Sequence, residues 1–189
     1  ADTRPGHVEG QSTPRRMISN VIANIVRFLL LVLLQALVLD QLDLANGWLV
    51  PYLYVLFLLM LPFELPDWAQ LLVGFFAGMV MDLFSSTPGM HTSACVLMAF
   101  LRIWMLRLLR PRDGYDHTRS PTIADMGIAW WSTFAAVLVL VHHLWLFFVE
   151  IYRFDEFGAT LLRASLSAVF TLALCMLVQT LFTRASRSR

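Results

Sequence analysis

Residues Phe28 to Leu34 read FLLLVLL, seven apolar side chains in a row with nothing polar between them. Strands of a half-buried sheet or an outer-membrane barrel alternate apolar and polar residues, so this run is not β. It lies inside a longer apolar stretch, Ile22 to Leu39, which ends at Asp40 and a polar run to Gly47. At 1.5 Å per residue such a stretch extends ~27 Å as a helix, close to the hydrocarbon thickness of about 30 Å. It reads as a membrane-crossing helix.

Working outward, five further apolar segments follow: Trp48 to Phe63, Trp68 to Phe84, Met90 to Leu109, Gly127 to Val149 and Gly158 to Phe182. Pro51 falls near the start of the second, where proline disturbs a helix least. The second and third are short, so their ends reach the interface or cross with little tilt. The expected fold is all-α and transmembrane, a bundle of six membrane-spanning helices over residues 17–183. Composition agrees: 58% of residues are hydrophobic and 14% charged, against roughly 25% charged in a soluble domain. Mean hydropathy is +0.68. Segments this apolar leave no amphipathic face for a water-soluble bundle.

Ahead of Met17, residues 1–16 are polar and aperiodic and read as a flexible tail or an added extension; residues 184–189 read as a basic tail. The stretch after Met17 is too long for a secretory signal and lacks a small-residue cleavage site. Arginine supplies every basic residue besides histidine, and its placement sets the orientation. With the amino terminus inside, the cytoplasmic pieces hold Arg15, Arg16, Arg107, Arg110, Arg112, Arg119, Arg184, Arg187 and Arg189. The outside loops hold only Arg153, with Arg163 a little way into the sixth helix. This asymmetry predicts both termini in the cytoplasm.

Charged side chains in the hydrocarbon cost at least ~2.5 kcal/mol, so those inside the segments are candidates for function. Gln70, Gly74, Gly78 and Asp82 are spaced by four and share one helix face. Gly74 and Gly78 make a GxxxG pair that lets another backbone approach. Asp82 then either ends a packed seam as a buried carboxylate or sits at the outer interface, contacting the turn after it. Arg102 lies deeper, about 18 Å from the outer end of its helix. It needs a carboxylate, a carbonyl or water, with Asp82 and Glu64 the available acids on neighbouring segments, unless it snorkels to the headgroups.

Asp82, His91, His142, His143, Glu150 and Arg163 all fall on the outer half, which predicts an intramembrane polar network facing the bundle interior. A metal site is disfavoured because His142 and His143 are adjacent and point about 100° apart on a helix. Cys95 and Cys175 lie in apolar runs with no ligand spacing and read as small packed residues. Ser85 to Gly89 (SSTPG) is a turn through Pro88 and Gly89. Ala164, Ala168, Thr171, Cys175 and Gln179 form a small-residue stripe that meets a helix of this chain or of another protein. Trp48, Trp68, Trp104, Trp130 and Trp131 read as interfacial anchors, with Trp145 further in. No nucleophile elbow, phosphate loop or paired metal motif is present, so the chain is not expected to be an enzyme or to carry a cofactor.

At Leu61 to Trp68 (LPFELPDW), Gly74 to His91 (GFFAGMVMDLFSSTPGMH), Pro111 to Tyr115 (PRDGY) and His142-His143, the chain resembles the MreD family of bacterial rod shape-determining membrane proteins, in its Bacteroidetes type. The resemblance runs from Met17 to about Phe182. It departs from the family at Ile103, where proline is expected after the arginine, and in the extension before Met17. The resemblance implies a non-enzymatic component of the cell-elongation machinery in the inner membrane. Its implied partners are membrane lipid and an MreC-like membrane protein. Indirectly, they include MreB-like filaments and the peptidoglycan synthases, a SEDS glycosyltransferase and a class B penicillin-binding protein. Nucleic acid is not among them. It also implies a fold similar to the substrate-binding subunits of energy-coupling-factor transporters. A small-molecule-binding subunit of a transporter is accordingly the alternative function.

Overall fold

The computed structural model describes residues 14–116, 119–151 and 156–187. Its helices, in chain order, are α1 (Pro14–Leu37), α2 (Val55–Leu59), α3 (Asp67–Ser85), α4 (Met90–Leu108), α5 (Ile123–Met126), α6 (Ile128–Ile151) and α7 (Phe157–Arg187), with a single 3₁₀ turn at Leu39–Gln41. An isolated bridge between Leu44 and Leu49 is the only β pairing among the described residues. The chain is all-α, as expected.

Five helical spans are long and apolar enough to cross a membrane: Ile22–Gln41, Asp67–Ser85, Met90–Leu108, Ile128–Ile151 and Phe157–Leu181. The segment Trp48 to Phe63 is not a sixth. Its only helix is the five-residue α2, and residues 50–52 have no regular secondary structure. Two prolines explain the departure. Pro51 and Pro62 offer no amide hydrogen and bias Val50 and Leu61 away from helical dihedrals. The stretch between them is too short for a spanning helix.

This broken segment occupies the core. Tyr52 to Leu59 are all buried, with Val55, Leu58 and Leu59 fully so. It also runs the length of the bundle. The Gly47 carbonyl meets Arg163 near the start of α7, and the Leu65 carbonyl meets Gln70 near the start of α3. Asp40, just past α1, lies 3.5 Å from Ser85 at the end of α3. α1 and α3 therefore run the same way, and residues 42–66 return between them.

The tail boundaries shift. α1 begins at Pro14, where proline suits the first helical turn, rather than at Met17. α7 continues to Arg187, so residues 184–187 of the expected basic tail are helical. Residues 1–13, 117–118, 152–155 and 188–189 lie outside the described set, and with them the orientation argument's Arg153 and Arg189.

α3 and α4 form a tight antiparallel hairpin. Ser86 closes α3 in the left-handed region at φ 56°, and Gly89 opens α4 at φ 84°. The latter value is one that glycine adopts without strain. This is the turn read from SSTPG. The anchors divide: Trp48, Trp68 and Trp104 are exposed near segment ends, but Trp131 is fully buried in the core. Trp145 is exposed and donates its Nε1–H to Ser93 Oγ at 3.0 Å.

Candidate functional site

Non-helical backbone at membrane depth is tolerated only where protein satisfies its polar groups. Here the flanking helices do so with side chains. From α1, Gln35 accepts the Leu53 amide at 2.7 Å and donates to the Pro51 carbonyl at 2.8 Å, clamping the non-helical stretch with both ends of its amide. From α7, Ser167 Oγ accepts the Val50 amide and Thr171 Oγ1 accepts the Tyr52 amide, each at 3.0 Å. Arg163 Nε donates to the Gly47 carbonyl at 2.8 Å. At the other end, Arg102 donates to the Leu61 carbonyl and to Gln70 Oε1, and Gln70 Nε2 donates to the Leu65 carbonyl at 2.9 Å. Gln35, Ser167, Thr171 and Arg102 are wholly buried.

Arg102 thus neither snorkels nor pairs with Asp82. An amide and a carbonyl hold it, with its guanidinium carbon 6.0 Å from the centre of the Phe134 ring. Asp82 sits twelve residues from Gln70 on the same helix, about 18 Å away along the axis.

Asp82 does both things its position allowed. Only 7% exposed, it ends the glycine seam and also reaches across the turn to cap α4. Its carboxylate accepts the amides of Gly89, His91 and Thr92 at 2.9, 2.9 and 3.0 Å, and the Thr87 and Thr92 hydroxyls at 3.1 and 2.6 Å. A negative group on free amides at a helix N-terminus is a favoured pairing. The seam itself is intramolecular. A Cβ on Gly78 would lie 2.4 Å from Thr92 Cα and 2.5 Å from the His91 carbonyl oxygen, and one on Gly74 would lie 2.9 Å from Cys95 O and Ala99 Cβ. The small-residue stripe faces inward too, with Ala164, Ala168, Thr171, Cys175 and Gln179 all buried.

The histidines surround the two tyrosines of the broken segment. The Tyr54 hydroxyl lies 3.0 Å from His91 Nδ1 and 2.8 Å from His142 Nε2, with Cys95 Sγ at 3.5 Å. His143 Nδ1 lies 2.8 Å from the Val139 carbonyl and its Nε2 2.9 Å from Thr171 Oγ1. A carbonyl only accepts, so the His143 proton is assigned to Nδ1, and Nε2 accepts from the Thr171 hydroxyl. The Tyr52 ring packs against His91, His142 and His143 with centroids 5.4, 5.9 and 5.3 Å away. Of the expected polar network, Asp82, His91, His142 and His143 are brought together around Tyr52 and Tyr54, whereas Glu150 is exposed and Arg102 lies at the other end of the segment. Arg163 joins at the rim, its guanidinium carbon 4.8 Å from the centre of the Phe147 ring. Among the described residues no group of three or more His, Cys, Asp or Glu has an arrangement that could hold a metal.

At the Arg107 end, Phe63 stacks on Tyr115 with centroids 4.3 Å apart, and the Tyr115 hydroxyl donates to the Leu106 carbonyl at 2.8 Å. Burial pushes the Tyr115 phenol above its ordinary value, against the opposing pull of Arg102. The loop after α4 thereby closes over the end of the broken segment.

No family model matches the chain, and neither does any curated protein or solved structure.

Gln35, Tyr52, Tyr54 and Ser167 are the site residues that sequence reasoning missed. A glutamine seven residues into an unbroken leucine-rich run carried a signal, since a buried amide implies a partner with free donors and acceptors. The tyrosines had none, because the segment read as helix would have spread them around its circumference.

Proposed function

We propose that this chain is a non-catalytic, multi-pass membrane protein that acts by contact with other membrane proteins, as its resemblance to the MreD family implies. One observation supports this reading above the rest. The backbone of the broken segment is held by buried side chains of α1, α4 and α7, so that part of the interior is scaffolding, and surface faces are left for recognition. In this reading the Asp82 end faces outward, both termini are cytoplasmic, and the broken segment makes the sixth crossing. The partners would be an MreC-like protein in the inner membrane and, through it, the cell-wall synthesis apparatus.

Crosslinking in native membranes, followed by identification of the captured chains, tests it. An MreC-like partner, together with loss of rod shape on deletion, is the expected result. Recovery of no membrane partner, with shape unaltered, overturns it.

A transporter-subunit reading draws on one feature, since discontinuous segments at membrane depth also build substrate sites. Against it, the space among Asp82, His91, His142 and Arg163 is filled by Tyr52 and Tyr54, 8% and 1% exposed.

A further inference from the structure

Tyr54 has one hydroxyl proton for two imidazoles. It lies within hydrogen-bond distance of His91 Nδ1 and His142 Nε2, so it donates to one and accepts from the other. The surroundings decide which. His142 is fully buried and its Nδ1 has no partner. An orphaned buried N–H is worse than an under-used acceptor, so the His142 proton belongs on Nε2, where it is donated to Tyr54. Tyr54 must then donate to His91, whose Nδ1 is the acceptor and whose own proton sits on Nε2. The second chain is directed the same way, from the Tyr52 amide through the Thr171 hydroxyl to His143 Nε2.

We propose that His91, Tyr54 and His142 form a proton-operated latch: proton uptake at His91 Nδ1 reverses the hydrogen bonds through Tyr54 and loosens residues 50–54 from the helices around them. The proton comes from water at the Asp82 end. His91 is in the first turn of α4, just after the exposed Gly89, and is itself 3% exposed. Once protonated, Nδ1 becomes a donor and claims the Tyr54 oxygen. The tyrosine's own proton then has two destinations. Turning to His142 Nε2 requires that ring's proton to move to Nδ1, where nothing accepts it. Turning to Cys95 Sγ at 3.5 Å exchanges a strong bond for a weak one and displaces the thiol proton now aimed at Tyr54. Either route removes one good hydrogen bond from the anchor of a backbone whose Val50, Tyr52 and Leu53 amides are held by side chains.

The groups facing His91 from each neighbouring element are few. Asp82 on α3, whose carboxylate accepts the His91 amide at 2.9 Å, and Asp40 after α1 are the acids on this side. Cys95 on α4, His142 on α6, and Tyr52 and Tyr54 of the broken segment complete the surroundings. Tyr52 links this change to His143, whose ring lies on the same tyrosine face cluster. Its place in the first turn of α4, beside the exposed Gly89, makes His91 the entry point, and the tyrosines carry the effect to the segment.

Hydrogen exchange read by mass spectrometry on the full-length protein in lipid nanodiscs tests the latch. Peptides covering residues 48–54 are compared at about pH 7.5 and about pH 5, after correction for intrinsic exchange rates. The wild-type segment is expected to exchange roughly five- to tenfold faster at the lower pH, the loss of one net hydrogen bond. His91→Asn keeps an acceptor near the Nδ1 position and takes no proton, so its segment should stay protected at both values. Tyr54→Phe breaks the chain and should exchange fast at both. Equal protection of the wild type at the two values overturns the proposal, as does a wild-type rise retained in either variant.

Discussion

The Asp82 carboxylate, one turn from the end of α3, binds the amide of His91 across the intervening loop at 2.9 Å. With the Gly89 and Thr92 amides on its other oxygen, it supplies α4 with the acceptors that no residue of α4 provides. The helix that carries the glycine seam thus also caps the helix that packs into it, and register and capping fix one another.

Asp82→Asn keeps the size but replaces one oxygen with a donor that faces amide hydrogens. We expect a loss of about 1–3 kcal/mol, the cost of leaving a buried donor without its acceptor. Thermal unfolding of the purified protein in detergent measures it. A midpoint equal to that of the wild type would show that the turn holds without the carboxylate.

The two glycines of the seam should not be equivalent. At Gly78 an added Cβ meets backbone at 2.4 Å, which cannot yield without separating α3 from α4. At Gly74 the closest contacts, at 2.9 Å, include the Ala99 methyl. Gly78→Ala is expected to destabilise by roughly 1–3 kcal/mol or more and Gly74→Ala by less. Unfolding midpoints of the two variants in parallel give the ranking. Equal effects, or none, would place the helices further apart than described.

Most of the α fold was legible in sequence because its signals are local. Apolar length marks α1, α3, α4, α6 and α7, and SSTPG marks the turn between α3 and α4. The glycine seam was legible as a close approach, but not its partner helix, since spacing specifies a face and not what covers it. The segment Trp48 to Phe63 was misread for a physical reason. Its hydrophobicity is that of a spanning helix, yet its backbone is determined by groups more than a hundred residues away, such as Ser167 and Thr171. No local pattern contains that information. The buried polar residues held a trace of it: glutamine, serine, threonine and arginine on four different helices need something to bond, and a broken backbone supplies it.

Gln35 offers the sharpest test of that account. Gln35→Leu is close in volume, so packing survives, while the Leu53 amide and the Pro51 carbonyl each lose their partner. A cost of about 2–6 kcal/mol is expected from two unsatisfied buried groups. Thr171→Val, also near in shape, should free the Tyr52 amide and His143 Nε2 and cost about 1–3 kcal/mol. Unfolding midpoints, with exchange of residues 50–53 as a local readout, check both. Variants that unfold like wild type and keep those amides protected would mean that water or another group satisfies the segment.

Two arginines on α4 make the last contrast. Arg107 pairs with Asp67 at 2.6 Å, but both side chains are more than half exposed, at 58% and 55%. Such a pair contributes at most about 1 kcal/mol, weakened further by salt, so Arg107→Gln should move the unfolding midpoint little. Arg102, five positions earlier, is 0% exposed and donates to the Leu61 carbonyl and Gln70 Oε1. Arg102→Met fills similar space and leaves both acceptors unpaired, with an expected loss of about 2–6 kcal/mol. Arg102→Lys keeps the charge but not the planar fork, and cannot reach both acceptors in the same geometry. The order expected by thermal unfolding is wild type close to Arg107→Gln, then Arg102→Lys, then Arg102→Met. A reversal of the first and last substitutions would mean that α4 is held by its surface ion pair and that the broken segment needs no clamp at that end.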